Sequence, residues 1–281
     1  MKAEELERVL AAARSAAHEA AELVRGGFRK RPEIEHKSAL ELVTRYDRDS
    51  EALLRERLGP LGFDIIGEEE GGASHTGTPT FFIDPIDGTT NFVHGHPFWC
   101  VSIGLVVETQ PILGVVVAPM LGLDWYGYVP ETGPARAVRR CATGGIHPEG
   151  AREEPCVVSP MSRFGDSLLA TGFPYDRATS SDNNFDAFVA IKLKCQAVRR
   201  CGSAAIDLCL VADGTYDGYW ERKLRPWDIA GGIALVRAAG GRVSEFDGGA
   251  GYVASGRVVA TNGRIHDALL GHLASVGAPT P

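Results

Sequence analysis

The stretch FFIDPIDGTTNFVHG, residues 81–95, decides how this chain is interpreted. Its first three residues are an apolar run typical of a buried strand, which ends at Asp84, and a second carboxylate, Asp87, follows three residues later. Pro85 favours extended backbone at Asp84 and cannot donate a hydrogen bond, so we expect Asp84 to leave the strand pointing out of the sheet. Gly88 lets the chain pass close to whatever the turn surrounds.

Two carboxylates in one turn repel each other unless one is protonated or a cation lies between them. Glu68 follows another short predicted strand, and Asp228 opens a predicted helix, so both are candidates to join the pair. Clusters that offer only oxygen favour hard cations, and Mg²⁺ accepts sites that keep waters and bind phosphate. The amides of Gly88 and Thr89 are candidate donors to phosphate oxygens.

Each acid also has an ordinary structural interpretation. An aspartate such as Asp87 is common in solvated turns, and Asp228 stands where a helix N-cap is expected. The run Glu68, Glu69 and Glu70 is typical of a solvated acidic surface. Spacing alone therefore leaves both a metal site and a set of structural roles open.

The length of 281 residues allows one large or two modest domains. Lys and Arg number 29 against 36 Asp and Glu, a net charge of −7 that disfavours direct nucleic-acid binding. Residues 1–27 are charged and amphipathic, unlike a signal peptide, and no stretch approaches the roughly 20 apolar residues that span a bilayer. We therefore expect a cytoplasmic protein with no membrane association.

The six cysteines lack the CxxC pairs and the spacing of zinc sites. Several lie in apolar runs, where a buried free thiol is the usual state.

Apolar periodicity predicts most of the secondary structure. In the first half, helices are predicted at 3–25 and from Asp49 to Leu58, and a strand at 63–67. An antiparallel meander is predicted at 99–108, 112–118 and 124–129, and a loop that allows a broken strand at 130–156. In the second half, strands are predicted at 157–159, 197–202, 216–220 and 242–246, and helices at 182–194, 203–212 and 228–239. We expect an α+β half at 1–150 and an α/β half at 151–281, packed as one unit.

The segment DPIDGTTNF at 84–92 resembles the signature of the inositol monophosphatase family of Mg²⁺-dependent, lithium-sensitive phosphatases. WDIAGG at 227–232 resembles the second signature of that family. Further similar blocks occur in the family's order at 37–47, 66–69, 199–209 and 219–221. The resemblance implies an alternating α-β-α-β-α layered sandwich of the inositol monophosphatase and fructose-1,6-bisphosphatase type, commonly a homodimer.

The resemblance also implies a metal site with two to three Mg²⁺ ions. Glu68, Asp84 and the carbonyl of Ile86 would hold the first metal. Asp84, Asp87 and Asp228 would hold the second, and Glu68 would help a third through water. Asp84 would thus bridge two cations, which share the work of an in-line displacement by activating a water and stabilising the leaving alkoxide.

The catalytic residues implied by the resemblance are Asp47, Thr89 and Glu68. Asp47 and Thr89 would orient and deprotonate the attacking water. The amides of Gly88 and Thr89 would hold the phosphate. Oxygen atoms of Asp87, Ala204 and Glu221 would accept hydrogen bonds from the substrate hydroxyls.

Several charged residues keep two interpretations. Glu221 is either a substrate ligand or the partner of Arg222 or Lys223 in a surface salt bridge. Lys37 is a charge partner of the metal cluster or a surface lysine. Lys223 and Arg225 suit a second substrate phosphate or a solvated basic turn.

Two departures from the family pattern stand out. Glu41 occupies a position where the family often has Asp, a change expected to affect packing more than chemistry. Residues 133–152, GPARAVRRCATGGIHPEGAR, lack the hairpin sequence of the family, so substrate preference is less defined than the metal ligands.

The sequence therefore predicts a Mg²⁺-dependent phosphomonoesterase that uses a metal-activated water. The expected substrate is inositol monophosphate or a similar small phosphorylated polyol or sugar. Alternatives within the enzyme class are fructose 1,6-bisphosphate, histidinol phosphate and 3′-phosphoadenosine nucleotides. The alternative from another class is a regulatory partner of the transcription machinery.

Overall fold

A computed structural model of the chain describes residues 1–38, 40–72, 77–141 and 151–276. The helices of these ranges are α1 (Ala3–Arg25), α2 (Arg45–Leu58), α3 (Thr89–His94), α4 (Phe185–Lys192), α5 (Ala204–Ala212), α6 (Pro226–Ala238), α7 (Tyr252–Ser255) and α8 (His266–Ser275), with 3₁₀ turns at Gly59–Leu61 and Phe164–Asp166. The strands are β1 (Glu35–His36), β2 (Leu42–Val43), β3 (Asp64–Gly67), β4 (Thr80–Asp87), β5 (Cys100–Val107), β6 (Gln110–Ala118), β7 (Leu123–Tyr128), β8 (Arg136–Cys141), β9 (Arg152–Pro155), β10 (Leu168–Thr171), β11 (Ala197–Arg199), β12 (Gly218–Glu221), β13 (Arg242–Ser244) and β14 (Val258–Thr261).

The strands form two main sheets. The larger has seven strands in the order β3-β4-β5-β6-β7-β8-β9, and the smaller has five in the order β11-β10-β12-β14-β13. The β5-β6-β7 meander is antiparallel, which confirms the prediction for this part of the chain. In the smaller sheet β10 runs parallel to both β11 and β12. The short strands β1 and β2 form a separate hairpin.

Helices cover both faces of both sheets and produce five layers. Helices α1 and α2 pack on the outer face of the larger sheet, α5 and α6 fill the space between the sheets, and α4 and α8 cover the outer face of the smaller sheet. The apolar stripe of α1 is completely buried at positions such as Leu6, Ala13 and Ala17, as its periodicity predicts. The predicted α-β-α-β-α sandwich is therefore confirmed.

Glycine allows the central helix α6 to lie unusually close to the larger sheet. A Cβ at Gly104 would lie 2.5 Å from the Cβ of Ala230, and one at Gly114 would lie 2.1 Å from the carbonyl oxygen of Gly231. Because any side chain at these strand positions would force the helix away, the close contact fixes the start of α6, where Asp228 lies.

Several element boundaries differ from the sequence predictions. Helix α2 begins at Arg45 because Thr44 and Asp47 form a capping box, four residues before the predicted start. Helix α4 begins only at Phe185 because Asn184 adopts a left-handed φ of 72°.

The strand predicted at 157–159 is wrong. The segment instead connects the two sheets, with the amide of Val158 donating to the carbonyl of Ala239. The loop predicted at 130–156 instead contains β8 and β9, whose pairing extends the larger sheet to Pro155, beyond residue 150. These two strands carry charged cross-strand pairs, such as Arg139 and Glu154, in place of the alternation of apolar and polar residues by which a strand is recognised in a sequence. The middle of the atypical segment 133–152, residues 142–150, lies outside the described residues.

All six cysteines are free, and Cys100, Cys156, Cys195 and Cys209 are buried. Within the described ranges, none of the helices has the length and hydropathy needed to cross a membrane.

Candidate active site

An irregularity in β4 brings Asp84 and Asp87 to the same face of the larger sheet. Asp84 pairs with Ser102 and Asp87 with Cys100, so β4 advances three residues while β5 advances two. In a regular strand, residues three apart point to opposite faces. The extra residue of the bulge cancels this alternation. Both carboxylates therefore project from the same face at the end of a fully buried strand.

The backbone between these two acids is held in place by hydrogen bonds. The amide of Ile86 donates to Asp84 Oδ1 at 3.0 Å, and Ser50 Oγ of α2 donates to the carbonyl of Pro85 at 3.2 Å. Asp84 is 1% exposed. The strand predicted to end at Asp84 therefore continues to Asp87. Its bulged end, called the acidic turn below, is a rigid platform rather than the solvated loop that an Asp-Pro sequence also allows.

Glu68 lies at the end of β3, the strand that pairs in parallel with β4. Lys37 Nζ lies 2.9 Å from Glu68 Oε1 and 2.6 Å from Glu69 Oε1. Burial alone would lower the pKa of Lys37, but the charges of these two glutamates outweigh it and raise the pKa. Of the two interpretations of Lys37, the structure supports the charge partner of the acidic cluster.

Glu51 is a residue of this site that sequence reasoning missed. Its buried carboxylate accepts hydrogen bonds from the amides of Glu69 at 2.7 Å and Glu70 at 3.0 Å. Arg55, one turn later in α2, pairs with Glu51 at 2.8 Å and donates to the carbonyls of Ile65 and Gly71. Helix α2 thereby fixes the turn that carries Glu68. The only sequence signal was an acid and an arginine four residues apart, which is common on solvated helices.

Asp87 joins the two halves of the chain. Its Oδ2 accepts hydrogen bonds from Ser203 Oγ at 2.5 Å and from the amide of Ala205 at 2.7 Å, both at the start of α5. Cys100 Sγ lies 3.8 Å from the same oxygen. Because a carboxylate stabilises a helix N-terminus, α5 is anchored directly to the acidic turn, and Ala204 is placed beside it.

Asp228 lies in the first turn of α6, and its Oδ2 accepts a hydrogen bond from the amide of Arg225 at 2.7 Å. The N-cap prediction for Asp228 is wrong, because the N-cap of α6 is Arg225. Asp228 is the third residue of the helix, and its side chain caps the helix by accepting from the N-cap amide. The charges of Glu68 and Asp87 nevertheless act on Asp228 from other parts of the chain. Capping and membership of the acidic cluster are both fulfilled by one side chain.

The four acids repel one another in a buried space. Burial raises the pKa of Asp84 far above its usual range, and the charges of Glu68, Asp87 and Asp228 raise it further. Burial likewise raises the pKa of Asp87 to about 6 and that of Glu68 to about 7. Because the charges of the other acids add to the effect of burial on the pKa of both Asp84 and Asp228, these carboxylates form one electrostatic unit.

The chemistry of this unit fits a hard divalent cation, since it offers only oxygen ligands and excess negative charge. As the side chains stand, no three His, Cys, Asp or Glu groups in the described parts of the chain converge closely enough to hold a metal ion. The acids instead use hydrogen-bond donors such as Lys37, Ser203 and the amide of Arg225. A cation would have to draw the carboxylates towards one another from these positions.

Thr89 and Asp47 meet beside the acids. Thr89 Oγ1 lies 3.1 Å from Asp47 Oδ1 and 3.0 Å from the carbonyl oxygen of Ile86. Asp47 Oδ2 accepts hydrogen bonds from the amide and the hydroxyl of Thr44, each at 2.7 Å. Burial nevertheless raises the pKa of Asp47.

Gly88 connects the acidic turn to α3 with a φ of 96°. A Cβ at this position would lie 3.1 Å from the carbonyl oxygens of Gly202 and Phe98. Both the backbone conformation and the close contacts therefore require glycine here.

Glu221 lies at the end of β12, and the salt bridge considered for it does not form. Arg222 pairs with Asp182, and Lys223 pairs with Asp176 at 2.6 Å. Glu221 Oε2 instead accepts a hydrogen bond from the Tyr219 hydroxyl.

The charge on Lys223 is therefore balanced by an acid, which weakens its case as a ligand for a second phosphate. For Glu221, burial raises the pKa to about 7.

These observations define a five-layered α/β protein with a carboxylate-rich site where the two sheets and the helix between them meet. A sequence model described as the inositol monophosphatase family matches residues 5–278. The chain belongs to this family.

Curated relatives agree with that assignment. An inositol-1-monophosphatase of Synechocystis sp. is 42% identical over 84% of this chain and 77% of its own length. A protein of Pasteurella multocida named Nus factor SuhB is 34% identical over 89% of this chain and 90% of its own.

Solved structures share the fold. The inositol monophosphatase from Anabaena (Nostoc) sp. superposes with a TM-score of 0.80 at 36% identity, covering 98% of both chains. Mycobacterium tuberculosis SuhB superposes with a TM-score of 0.76 at 31% identity, covering 98% of this chain and 99% of its own.

Proposed function

We propose that this protein hydrolyses a small phosphomonoester, with inositol monophosphate as the preferred substrate, in a Mg²⁺-dependent reaction. The observation that carries the proposal is the electrostatic interaction of four acids from three segments of the chain, Glu68, Asp84, Asp87 and Asp228. The names of the relatives support the choice of substrate.

The metal would be held by these four carboxylates and by the carbonyl of Ile86. When bound, Mg²⁺ would supply charge stabilisation for the phosphoryl group and lower the pKa of a coordinated water. Burial together with the repulsion between neighbouring carboxylates is unfavourable without a cation, which supports a cation site here. The number of two to three ions follows from the family resemblance.

The proton of the attacking water would pass towards the Thr89–Asp47 pair. The Thr89 hydroxyl lies within hydrogen-bonding distance of Asp47, and Asp47 is held by Thr44 on its other oxygen. A raised pKa brings Asp47 closer to the range in which a carboxylate serves as a general base at neutral pH. The amides of Gly88 and Thr89 would hold the phosphate, and Glu68 would assist through water.

The substrate alcohol would be oriented by Asp87, Ala204 and Glu221. Asp87 contacts the start of α5, and Glu221 is brought to the same region from β12. Carboxylates from both halves would then accept hydrogen bonds from the hydroxyls of a polyol. The pairing of Lys223 with Asp176 engages one of the two cations considered for a second phosphate, which supports inositol monophosphate over fructose 1,6-bisphosphate.

Phosphate release from inositol 1-phosphate tests the proposal. The wild type should release phosphate with Mg²⁺ and not with EDTA, and Asp84→Asn should lose nearly all of this activity. Asp186→Asn, an exposed acid on the outer helix α4, is the matched control and should behave as the wild type. Equal release by wild type and Asp84→Asn would refute the site assignment. Fructose 1,6-bisphosphate, histidinol phosphate and a 3′-phosphoadenosine nucleotide complete the substrate panel.

The second candidate is a regulatory role in binding the transcription machinery. It is supported by the similarity to proteins named Nus factor SuhB. Full retention of the acidic cluster and of the Thr89–Asp47 pair favours the enzyme. We further propose a lithium-sensitive, cytoplasmic homodimer without direct nucleic-acid binding, for which gel filtration and lithium inhibition are the direct tests.

A further inference from the structure

Strand β12 presents Tyr219 and Glu221 on the same face. Residues two apart in a strand share a face, and Trp220 between them points to the opposite side. Tyr219 is completely buried in the core between the two sheets, whereas Trp220 packs in the outer core under α4 and α8. Tyr219 and Glu221 therefore both project towards α5 and the acidic turn.

The Tyr219 hydroxyl donates a hydrogen bond to Glu221 Oε2. Burial raises the pKa of Tyr219 far above its ordinary value, and the charge of Glu221 adds to this effect. The hydroxyl thus remains protonated, and it acts as the donor towards Glu221 once that carboxylate is ionised, above its pKa of about 7. Hydrogen bonds to charged groups are stronger than those between neutral groups and restrict the orientation of the acceptor.

Gly172 leaves the space that the same carboxylate occupies. It follows β10, the parallel neighbour of β12, and a Cβ there would lie 2.1 Å from Glu221 Oε1 and 2.2 Å from Oε2. Asn184 Nδ2 donates to the carbonyl of Gly172 at 2.7 Å, and Trp220 Nε1 donates to Asn184 Oδ1 at 3.0 Å. The backbone under Glu221 is therefore itself fixed.

We propose that Tyr219 is a positioning residue for polyol recognition. Its hydroxyl holds the Glu221 carboxylate, for which Gly172 leaves room, in one orientation for accepting hydrogen bonds from substrate hydroxyls. The inference rests on the proposed function, in which Glu221 receives the substrate alcohol. Tyr219 itself touches neither the phosphoryl group nor the attacking water.

A substrate that carries hydroxyls should depend on Tyr219, and one without them should not. In Tyr219→Phe the ring still fills the core, but Glu221 loses its fixed donor. The KM for inositol 1-phosphate should rise about tenfold, the scale of one hydrogen bond to a charged group. The kcat should change little, because the phosphate end of the site is untouched.

Steady-state kinetics of wild type, Tyr219→Phe, Glu221→Gln and the double variant test this inference. Inositol 1-phosphate is compared with p-nitrophenyl phosphate, an aryl ester without neighbouring hydroxyls, both with Mg²⁺. Tyr219→Phe should raise KM for the first substrate only and should add nothing in the Glu221→Gln background. Tyr252→Phe, which removes the hydroxyl of another buried tyrosine in α7, should leave both substrates unaffected.

Equal loss on both substrates, an unchanged KM for inositol 1-phosphate, or additive effects in the double variant would overturn the inference. Failure of the wild type to hydrolyse either ester would refute the proposed function instead. In that case, calorimetry with myo-inositol, Mg²⁺ and phosphate replaces the kinetics. Weaker binding of myo-inositol by Tyr219→Phe than by the wild type would support the positioning role. Equal binding by the two proteins, or no binding by the wild type, would overturn it.

Discussion

Thr89 Oγ1 lies 3.1 Å from Asp47 Oδ1, although the two residues are 42 positions apart in the chain. The contact joins the first turn of α2 to the first residue of α3. Both side chains are buried beside the acidic turn. In the proposed mechanism this hydroxyl would stand between the Asp47 carboxylate and the attacking water.

Removing that hydroxyl should therefore reduce catalysis more than stability. Thr89→Ala should lower kcat by at least about 100-fold, the low end of the contribution of a positioned acid or base, with little change in KM. Thr89→Ser keeps the hydroxyl and should retain most of the activity. Phosphate-release kinetics on inositol 1-phosphate measure both variants. Equal activity of the alanine and serine variants would show that the hydroxyl has no part in the reaction.

The acidic cluster should make the metal-free protein less stable as the pH rises. The pKa values of Glu68, about 7, and Asp87, about 6, lie above those of the unfolded chain, about 4. Their contribution to stability is therefore complete below pH of about 4 and is lost as the pH rises through the folded values. Burial lowers the pKa of His266 to about 4, and this makes the folded state more stable as the pH rises, the opposite of the effect of the acids. The pH dependence of Tm in one buffer therefore contains both effects.

The increase in Tm on replacing EDTA with Mg²⁺ isolates the cluster, because the His266 contribution cancels in that difference. The increase in Tm should be small at pH 5 and several degrees larger at pH 8. A change of about 2 kcal/mol in the free energy of unfolding corresponds to a shift of about 4–8 °C in Tm. In Asp84→Asn, which removes the proposed shared metal ligand, the pH dependence of the increase in Tm should largely disappear. A Mg²⁺ effect that is the same at both pH values would contradict the proposed coupling.

Glu51 should control metal affinity without touching the metal. Glu51→Gln leaves Arg55 without its buried partner and weakens the bonds to the amides of Glu69 and Glu70. We expect a loss of about 3 kcal/mol in stability and a weaker Mg²⁺ affinity, because the Glu68 turn loses its support. Chemical denaturation and calorimetric Mg²⁺ titration measure the two effects.

The control for this variant is Glu56→Gln on the same helix. Glu56 is exposed and pairs with Arg57, so its replacement should change stability by less than about 0.5 kcal/mol. A Glu51→Gln protein with unchanged Mg²⁺ affinity would show that the α2 contact stabilises the fold without orienting Glu68.

Gly88 and Gly133 offer a matched pair of glycines, each with a φ of 96°. A Cβ at Gly88 meets two carbonyl oxygens at 3.1 Å, whereas one at Gly133 meets nothing within 4 Å. Gly133→Ala should therefore cost only the backbone strain, about 1 kcal/mol, and Gly88→Ala clearly more. Gly88→Ala should also weaken inhibition by inorganic phosphate. Equal losses of stability would show that close packing at Gly88 is unimportant.

The sequence was informative wherever local pattern and local structure coincide. The 23-residue helix α1 and the strands β5, β6 and β7 follow directly from apolar periodicity. Strands β10 and β14 were missed because each is a short run whose partners are distant in sequence. Strands β8 and β9 were hidden by charged cross-strand pairs in place of apolar alternation.

From local sequence, only the part of the site that lies in the acidic turn could be predicted. The proximity of Asp84 and Asp87 follows from a three-residue spacing and a bulge, and the family signature adds the other acids. The roles of Glu51, Ser203 and Tyr219 depend on contacts between segments, and each residue type is ordinary in its local sequence. The Ser203 hydroxyl, for example, is a helix N-cap by local pattern and a ligand of Asp87 only in three dimensions.

The most direct test of the central claim is a crystal structure of the protein grown with Mn²⁺ and phosphate, with the anomalous signal used to locate the metal. We expect at least two peaks within about 2.5 Å of carboxylate oxygens from Glu68, Asp84, Asp87 and Asp228, with the phosphate in contact with both ions. Absence of metal between these acids, or a structure in which Asp228 stays out of reach of the other three, would contradict the account.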